Sequence, residues 1–155
     1  MKVRRYNEGE EMILWEIFYN TIHNINIEDY DDIQVSAWAP SSLDKNIWIE
    51  KIKSINPFVV DHHNMILGYA DLQESGLIDH FFCHHQWQRK GVGSMLMNTI
   101  IENANSLGIT TLTSEVSITA KLFYISYGFT VMEKQSLFVR GQHLTNYKMQ
   151  KELIE

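Results

Sequence analysis

The chain has 155 residues, 45% hydrophobic and 21% charged, with a formal net charge of −6. That length predicts one domain over residues 1–155, able to bury roughly two thirds of the surface its unfolded chain exposes. The acidic balance excludes a nucleic-acid binder driven by bulk electrostatics and favours a cationic small substrate.

No apolar run approaches the ~20 residues of a membrane span, so no membrane partner is expected. Cys83 is the only cysteine, which rules out an internal disulfide and suits a reducing compartment. No apolar signal core follows the basic start Met1-Lys-Val-Arg-Arg-Tyr6, so a cytoplasmic location is expected.

Lys2 to Tyr6 alternates as a first strand. Glu8 to Asn24 reads as a helix: Met12, Trp15, Ile17, Phe18, Tyr19 and Ile22 give it an apolar face, and Glu8, Glu10 and Glu11 suit its N-terminal turn. Asp31 or Asp32 caps a second, short helix through Ala37 that ends before Pro40. Ser41 or Ser42 caps a third, Leu43 to Ser54. Asn56-Pro57 breaks the helical pattern. Phe58 to Val60 and Met65 to Leu72 then form a hairpin across Asp61-His62-His63-Asn64, and Ser75-Gly76 turns into a strand over Leu77–Cys83. A long helix runs to about Leu107 and stops at Gly108. Ile109 to Val116 is a β-branched strand. Thr119 to Tyr127 is a short helix ended by Gly128, and Phe129–Val139 and His143–Gln150 are two strands joined across Gly141. The order predicts an α/β (α+β) fold with a mixed, mainly antiparallel sheet and helices on both faces.

Between the Leu77–Cys83 strand and the long helix lies Gln88-Arg-Lys-Gly-Val-Gly-Ser94. Glycines let the backbone turn tightly and leave no Cβ over its amides. The first turn of a helix offers N–H groups without intrahelical partners, and the macrodipole adds partial positive charge. With Arg89 and Lys90 alongside, this is an anion site sized for phosphates. The dinucleotide fingerprint would need a third glycine where Leu96 stands, and a P-loop would need a lysine after Gly93. What remains, Q-x-x-G-x-G directly after a strand, resembles the pyrophosphate loop of the GNAT N-acetyltransferases, which bind acetyl-coenzyme A. The element order, with its helical insert after the first strand, is also that of the GNAT fold. The resemblance implies a six- to seven-stranded sheet, acetyl-CoA as cosubstrate, and cofactor contacts from Gln88, Arg89, Lys90, Gly91, Val92, Gly93 and Ser94.

Ala120-Lys-Leu-Phe-Tyr-Ile-Ser-Tyr-Gly-Phe129 matches a second family pattern, A-x-x-F-Y-x-x-x-G-F. The resemblance gives Tyr124 the role of acid toward the departing coenzyme A thiolate. A thiol pKa near 8.5 against a tyrosine near 10 leaves the phenol protonated and able to donate at neutral pH. Tyr127 is the runner-up acid, and Phe123 reads as core. Where many members carry asparagine against the pantetheine arm, this chain has the shorter Ser117. In the family, the strand matching Ile78–Cys83 splays from its neighbour, which implies that backbone near Phe82, Cys83 and His85 holds the cofactor and that an amide there faces the oxyanion.

For removal of the amine proton, Asp79, His80 and Glu115 are the candidates. Strand neighbours face opposite sides, so Asp79 and His80 share a face only across a bulge; Asp79 is expected. Cys83-His84 cannot pair as a nucleophile dyad on one strand, and Cys83 reads as a small hydrophobe. His62-His63 and His84-His85 lack zinc-type spacing, so no metal is expected. Val35-Ser-Ala-Trp-Ala39, Ser117-Ile-Thr-Ala120 and Val139-Arg-Gly141 resemble the YafP-type branch of acetyltransferases. In the family the insert walls the acceptor site, which implies Tyr30, Trp38 and Trp48 for an apolar or aromatic amine, though each also reads as core. Arg140 is either a substrate contact or an edge charge. The expectation is an acyltransferase, monomer or homodimer, that moves an acetyl group from acetyl-CoA directly to a primary amine of a small molecule. A protein lysine or N-terminus as acceptor and a non-catalytic acyl-CoA binding module are the alternatives.

Overall fold

The computed structural model describes residues 1–153. In chain order the elements are β1 (Lys2–Arg5), α1 (Glu11–Asn24), a 3-10 turn (Asn26–Glu28), α2 (Asp32–Trp38), α3 (Lys45–Ile55), β2 (Phe58–His62), β3 (Met65–Ala70), β4 (Leu77–Ile78), β5 (Phe81–Cys83), α4 (Val92–Ser106), β6 (Thr111–Ser117), α5 (Lys121–Ser126), β7 (Thr130–Val139) and β8 (Gln142–Glu152). Two four-stranded sheets result, ordered β1-β2-β3-β5 and β4-β6-β8-β7. Among the described residues only the β4–β6 pair is parallel.

Helices cover both faces, as the residue pattern predicts. β2 carries Val59 and Val60 with no exposed surface, one against each of two apolar clusters. Successive strand residues point to opposite faces, so an uninterrupted apolar run marks a strand covered on both. One cluster gathers α4 and α5 residues such as Leu96, Ile100 and Tyr124; the other gathers α1 to α3 residues such as Leu14, Val35 and Ile52.

Several boundaries move for local reasons. α1 begins at Glu11, because Gly9 sits at φ +103° and the Glu10 carboxylate is held by both terminal nitrogens of Arg4. α2 opens on a reciprocal cap: Asp31 accepts from the Gln34 amide and Gln34 accepts from the Asp31 amide. α3 is capped by Asp44, which accepts from the amides of Asn46 and Ile47, and not by Ser41 or Ser42.

The larger correction is to the sheet. The expected single sheet of six or seven strands is eight strands in two halves. The expected strand Leu77–Cys83 is two strands, one in each half, interrupted at Asp79-His80. The cleft forms at that interruption.

Candidate active site

β4 runs parallel to β6 only through Leu77–Thr113 and Ile78–Ser114. β5 then turns away to pair with β3, from Ala70–Phe81 to Gly68–Cys83. The end of β6, Glu115 to Ser117, is left without a partner on that side, and a wedge opens between it and β5. The buried carboxylate of Asp71 holds the turn. Its Oδ1 accepts from the amides of both Asp79 (2.8 Å) and His80 (2.7 Å), and its Oδ2 accepts from Gln73 Nε2 (2.6 Å). Burial raises the Asp71 pKa, while these three donors favour its charged form. Consecutive amides of a regular strand point to opposite sides; here two converge on one oxygen, which marks a break in the strand. Sequence reasoning missed Asp71, because nothing local distinguishes it from a polar strand-end residue.

A cavity of about 990 Å³ occupies the wedge. At one end is α4. Gly91, its cap, sits at φ +87°, and Met95 is the first residue to close an intrahelical bond, to the Gly91 carbonyl. The amides of Val92, Gly93 and Ser94 therefore lack intrahelical partners. Gln88, Arg89, Gly91, Gly93 and Ser94 line the cavity. A Cβ on Gly93 would stand 3.2 Å from the Phe123 ring and 3.5 Å from Cys83 Sγ, so glycine there permits the close packing of α4 on α5.

The loop also departs from expectation. Gln88 Nε2 donates to the carbonyls of Cys83 (2.9 Å) and His84 (3.3 Å), which ties the loop to β5. Val92 sends its side chain into the core, Lys90 is exposed, and neither lines the cavity. His85 does not line it either; its ring stacks on His84 at 4.8 Å.

The backbone of β5 divides by alternation. His84 N–H donates to the Leu67 carbonyl and Asp71 N–H to the His80 carbonyl, so residues 80, 82 and 84 turn their groups toward β3. Phe81 and Cys83 turn theirs toward the wedge. The Cys83 carbonyl is already taken, by Thr21 Oγ1 (2.7 Å) as well as Gln88. The groups left for a ligand are the N–H and C=O of Phe81 and the N–H of Cys83, and the Phe82 backbone is not among them. Burial pushes the Cys83 thiol up to about 12, so no thiolate forms near neutrality.

Tyr124 is buried on the α5 side, with its hydroxyl 3.4 Å from Ser114 Oγ. Ser114 commits its own proton to the Ile78 carbonyl (2.8 Å), so Tyr124 is the donor in that long contact. Burial raises the Tyr124 pKa above the ordinary tyrosine value, which keeps the phenol protonated. Tyr127 packs against the core and does not line the cavity. Ser117 lines it and accepts from the Ala120 amide (3.1 Å).

On the opposite side, Phe18, Tyr30, Trp38, His80 and Phe82 form an aromatic lobe of the same cavity. The Tyr30 hydroxyl is committed to the fold, donating to the Thr145 carbonyl (2.6 Å) and accepting from the Ile118 amide (3.0 Å); only its ring is presented. Trp48 is buried beneath α1, donates Nε1–H to the Glu11 carbonyl (2.7 Å), and lies outside the cavity lining. Arg140 Nη1 donates to the Ala37 carbonyl (2.8 Å), so it ties α2 to the β7–β8 turn.

The two residues of the interruption meet different neighbours, as successive strand residues do. The Asp79 carboxylate pairs with Lys51 of α3. His80 sits among Phe18, Trp48, Tyr69 and Phe82, with Nδ1 3.0 Å from the Tyr69 hydroxyl. Burial holds its pKa near 4, against the opposing pull of Asp79 and with a smaller contribution from the Lys51 charge. Among the described residues the Tyr69 hydroxyl has no other acceptor. The hydrogen-bond network thus assigns the Tyr69 proton to Nδ1 and the imidazole's own proton to Nε2. Glu115 lines the cavity and, among the described residues, makes no ion pair or side-chain hydrogen bond. No group of three or more His, Cys, Asp or Glu among the described residues is placed to hold a metal.

The family model for the acetyltransferase (GNAT) domain matches residues 26–153. The chain belongs to the GNAT acetyltransferase family. It is 30% identical over 149 residues to the uncharacterized N-acetyltransferase YafP of Escherichia coli strain K12, covering 96% of this chain and 94% of that one. Among solved structures, a GCN5-related N-acetyltransferase from Rhodopseudomonas palustris has the same fold, with TM-score 0.93 and 23% identity over 98% of this chain and 95% of that one. So does yncA of Salmonella typhimurium, solved with its cofactor acetyl-CoA, with TM-score 0.72 and 19% identity over 100% of this chain and 95% of that one. A PaiA N-acetyltransferase from Thermoplasma acidophilum, in complex with coenzyme A, aligns with TM-score 0.74 and 14% identity over 98% of each chain. The GNAT assignment fits the split sheet and the α4 entry, and no helix among the described residues is long and apolar enough to cross a membrane.

Proposed function

We propose that the wedge binds acetyl-CoA and passes its acetyl group directly to a primary amine of a small molecule held in the aromatic lobe. One observation carries this reading. Unpaired amides at the start of α4, a free stretch of strand backbone and a protonated tyrosine follow one another along a single cleft that continues into an aromatic lobe.

Acetyl-CoA, when bound, supplies the activated acetyl group. The α4 amides and Arg89 hold the pyrophosphate, while Phe81 pairs with the pantetheine arm as a strand partner would. Cys83 N–H faces the oxygen on which negative charge develops. Tyr124 donates to the sulfur as the carbon–sulfur bond breaks. Glu115 takes the proton of the attacking amine in place of Asp79, whose carboxylate is engaged by Lys51. Transfer is direct, with the buried Cys83 thiol left protonated and unused, and the rate comes from positioning. The rings of Trp38, Phe18 and Tyr30 suit an amine on an apolar or aromatic body.

The test is thiol release from acetyl-CoA on addition of phenethylamine, tryptamine or spermidine, with a lysine-bearing peptide as comparator. Turnover with a small amine above the peptide supports the reading. Turnover with the peptide alone replaces it with protein acetylation, and none with any amine overturns it.

A further inference from the structure

We propose that Asp71, which does not line the cleft, is the positioning residue of this active site: its carboxylate holds the break that separates β4 from β5 and fixes His80 in the aromatic lobe. The proposal rests on the reading that acetyl transfer takes place in this wedge, and it adds the group that shapes it.

A strand running unbroken from Leu77 to Cys83 would continue its parallel ladder with β6 beyond Ser114 and leave no wedge. It does not continue, because the two amides after Ile78 are both taken by one oxygen of Asp71, at 2.8 and 2.7 Å. Asp71 also uses its main chain, donating N–H to the His80 carbonyl at 3.2 Å. A single residue just after β3 therefore grips the break at three points.

Successive residues leave a strand on opposite sides, and the grip of Asp71 on both amides fixes where each side chain leaves the backbone. Here Asp79 reaches Lys51 while His80 enters the ring of Phe18, Trp48, Tyr69 and Phe82. The Asp71 side chain is fully buried, so its effect on the cleft passes through the backbone it holds. An ionised carboxylate accepts from two amides and from Gln73 at once. An asparagine keeps one oxygen for both amides, and a leucine of similar size keeps none.

The experiment compares wild type with Asp71→Asn and Asp71→Leu, reading the His80 ring by NMR titration and coenzyme A affinity by calorimetry. Neither readout needs an acceptor, so failure here is distinct from failure to find a turned-over amine. For Asp71→Leu we expect the His80 midpoint to rise from about 4 toward the ordinary histidine value as the ring leaves its cage, with coenzyme A affinity weakened about tenfold. Asp71→Asn should restore both to near wild type. A folded Asp71→Leu protein with wild-type His80 titration and affinity overturns the proposal even if its melting temperature falls. Should Asp71→Leu not fold, hydrogen exchange in the wild type decides. Slow exchange at the Asp79 and His80 amides supports the clamp, and exchange at the rate of exposed amides overturns it.

Discussion

The Tyr124 hydroxyl lies 3.4 Å from Ser114 Oγ, whose proton is committed to the Ile78 carbonyl. The phenol therefore donates into a weak contact and is left to find a better acceptor where β4 and β6 part. A sulfur anion forming there would be such an acceptor. Tyr124→Phe should lower kcat by about 10²-fold and leave the KM for acetyl-CoA within a factor of about three, since the hydroxyl meets the sulfur chiefly as charge develops on it. Steady-state thiol release measures both; an unchanged kcat removes Tyr124 from the chemistry.

Glu115 and Asp79 separate as candidates by what already holds them. Glu115→Gln should depress kcat by at least about tenfold near neutral pH. Asp79→Asn, which breaks only the exposed pair with Lys51, should leave kcat within about threefold. The reverse order of effects would restore Asp79 as the base.

At Gly91 the backbone is left-handed and the space above it is open, with nothing within 4 Å of an added Cβ. A side chain there meets backbone strain of about 1–2 kcal/mol and occupies the volume the phosphates need. Gly91→Val should fold and lose acetyl-CoA affinity by more than tenfold in a titration. Wild-type affinity in the folded variant would refute the α4 assignment.

The glycine loop and the Ala120–Phe129 helix were legible in the sequence because their information is local. A left-handed cap needs glycine, and a short helix carries its residues at fixed spacing. Asp71 was not legible: its partners are backbone amides eight and nine residues along the chain, and an amide leaves no mark in a sequence. Asp79 was expected over Glu115, and the sequence does not show that Lys51, on a helix 28 residues away, pairs with the Asp79 carboxylate. Trp38 and Trp48 look alike on their helices. Only packing shows that one faces the cavity and the other lies under α1.

Trp48→Ala accordingly tests the division between core and lobe. Loss of this buried ring should cost about 3–5 kcal/mol of stability in denaturant unfolding while coenzyme A affinity stays within about threefold. A stable variant with impaired acceptor use would return Trp48 to the acceptor wall.

His80 has a pH consequence whose sign is fixed. Its folded-state pKa, about 4, lies below the ordinary histidine value, so the unfolded chain binds the proton more readily. The contribution of neutral His80 to stability is complete above about pH 6.5 and is lost progressively as pH falls toward 4. Urea unfolding from pH 4.5 to 7 should show stability rising with pH, and His80→Gln should remove that part of the slope. An imidazole that titrates near 6.5 by NMR would contradict the caged geometry.

The most direct test of the central claim is the melting temperature with saturating acetyl-CoA, set against NADH and ATP. At about 100 times its Kd a ligand adds roughly 2.7 kcal/mol, a rise of several degrees for a chain of this size. The wedge predicts that rise for acetyl-CoA and little for the two nucleotides. No rise, or an equal rise with ATP, would contradict an acetyl-CoA cleft.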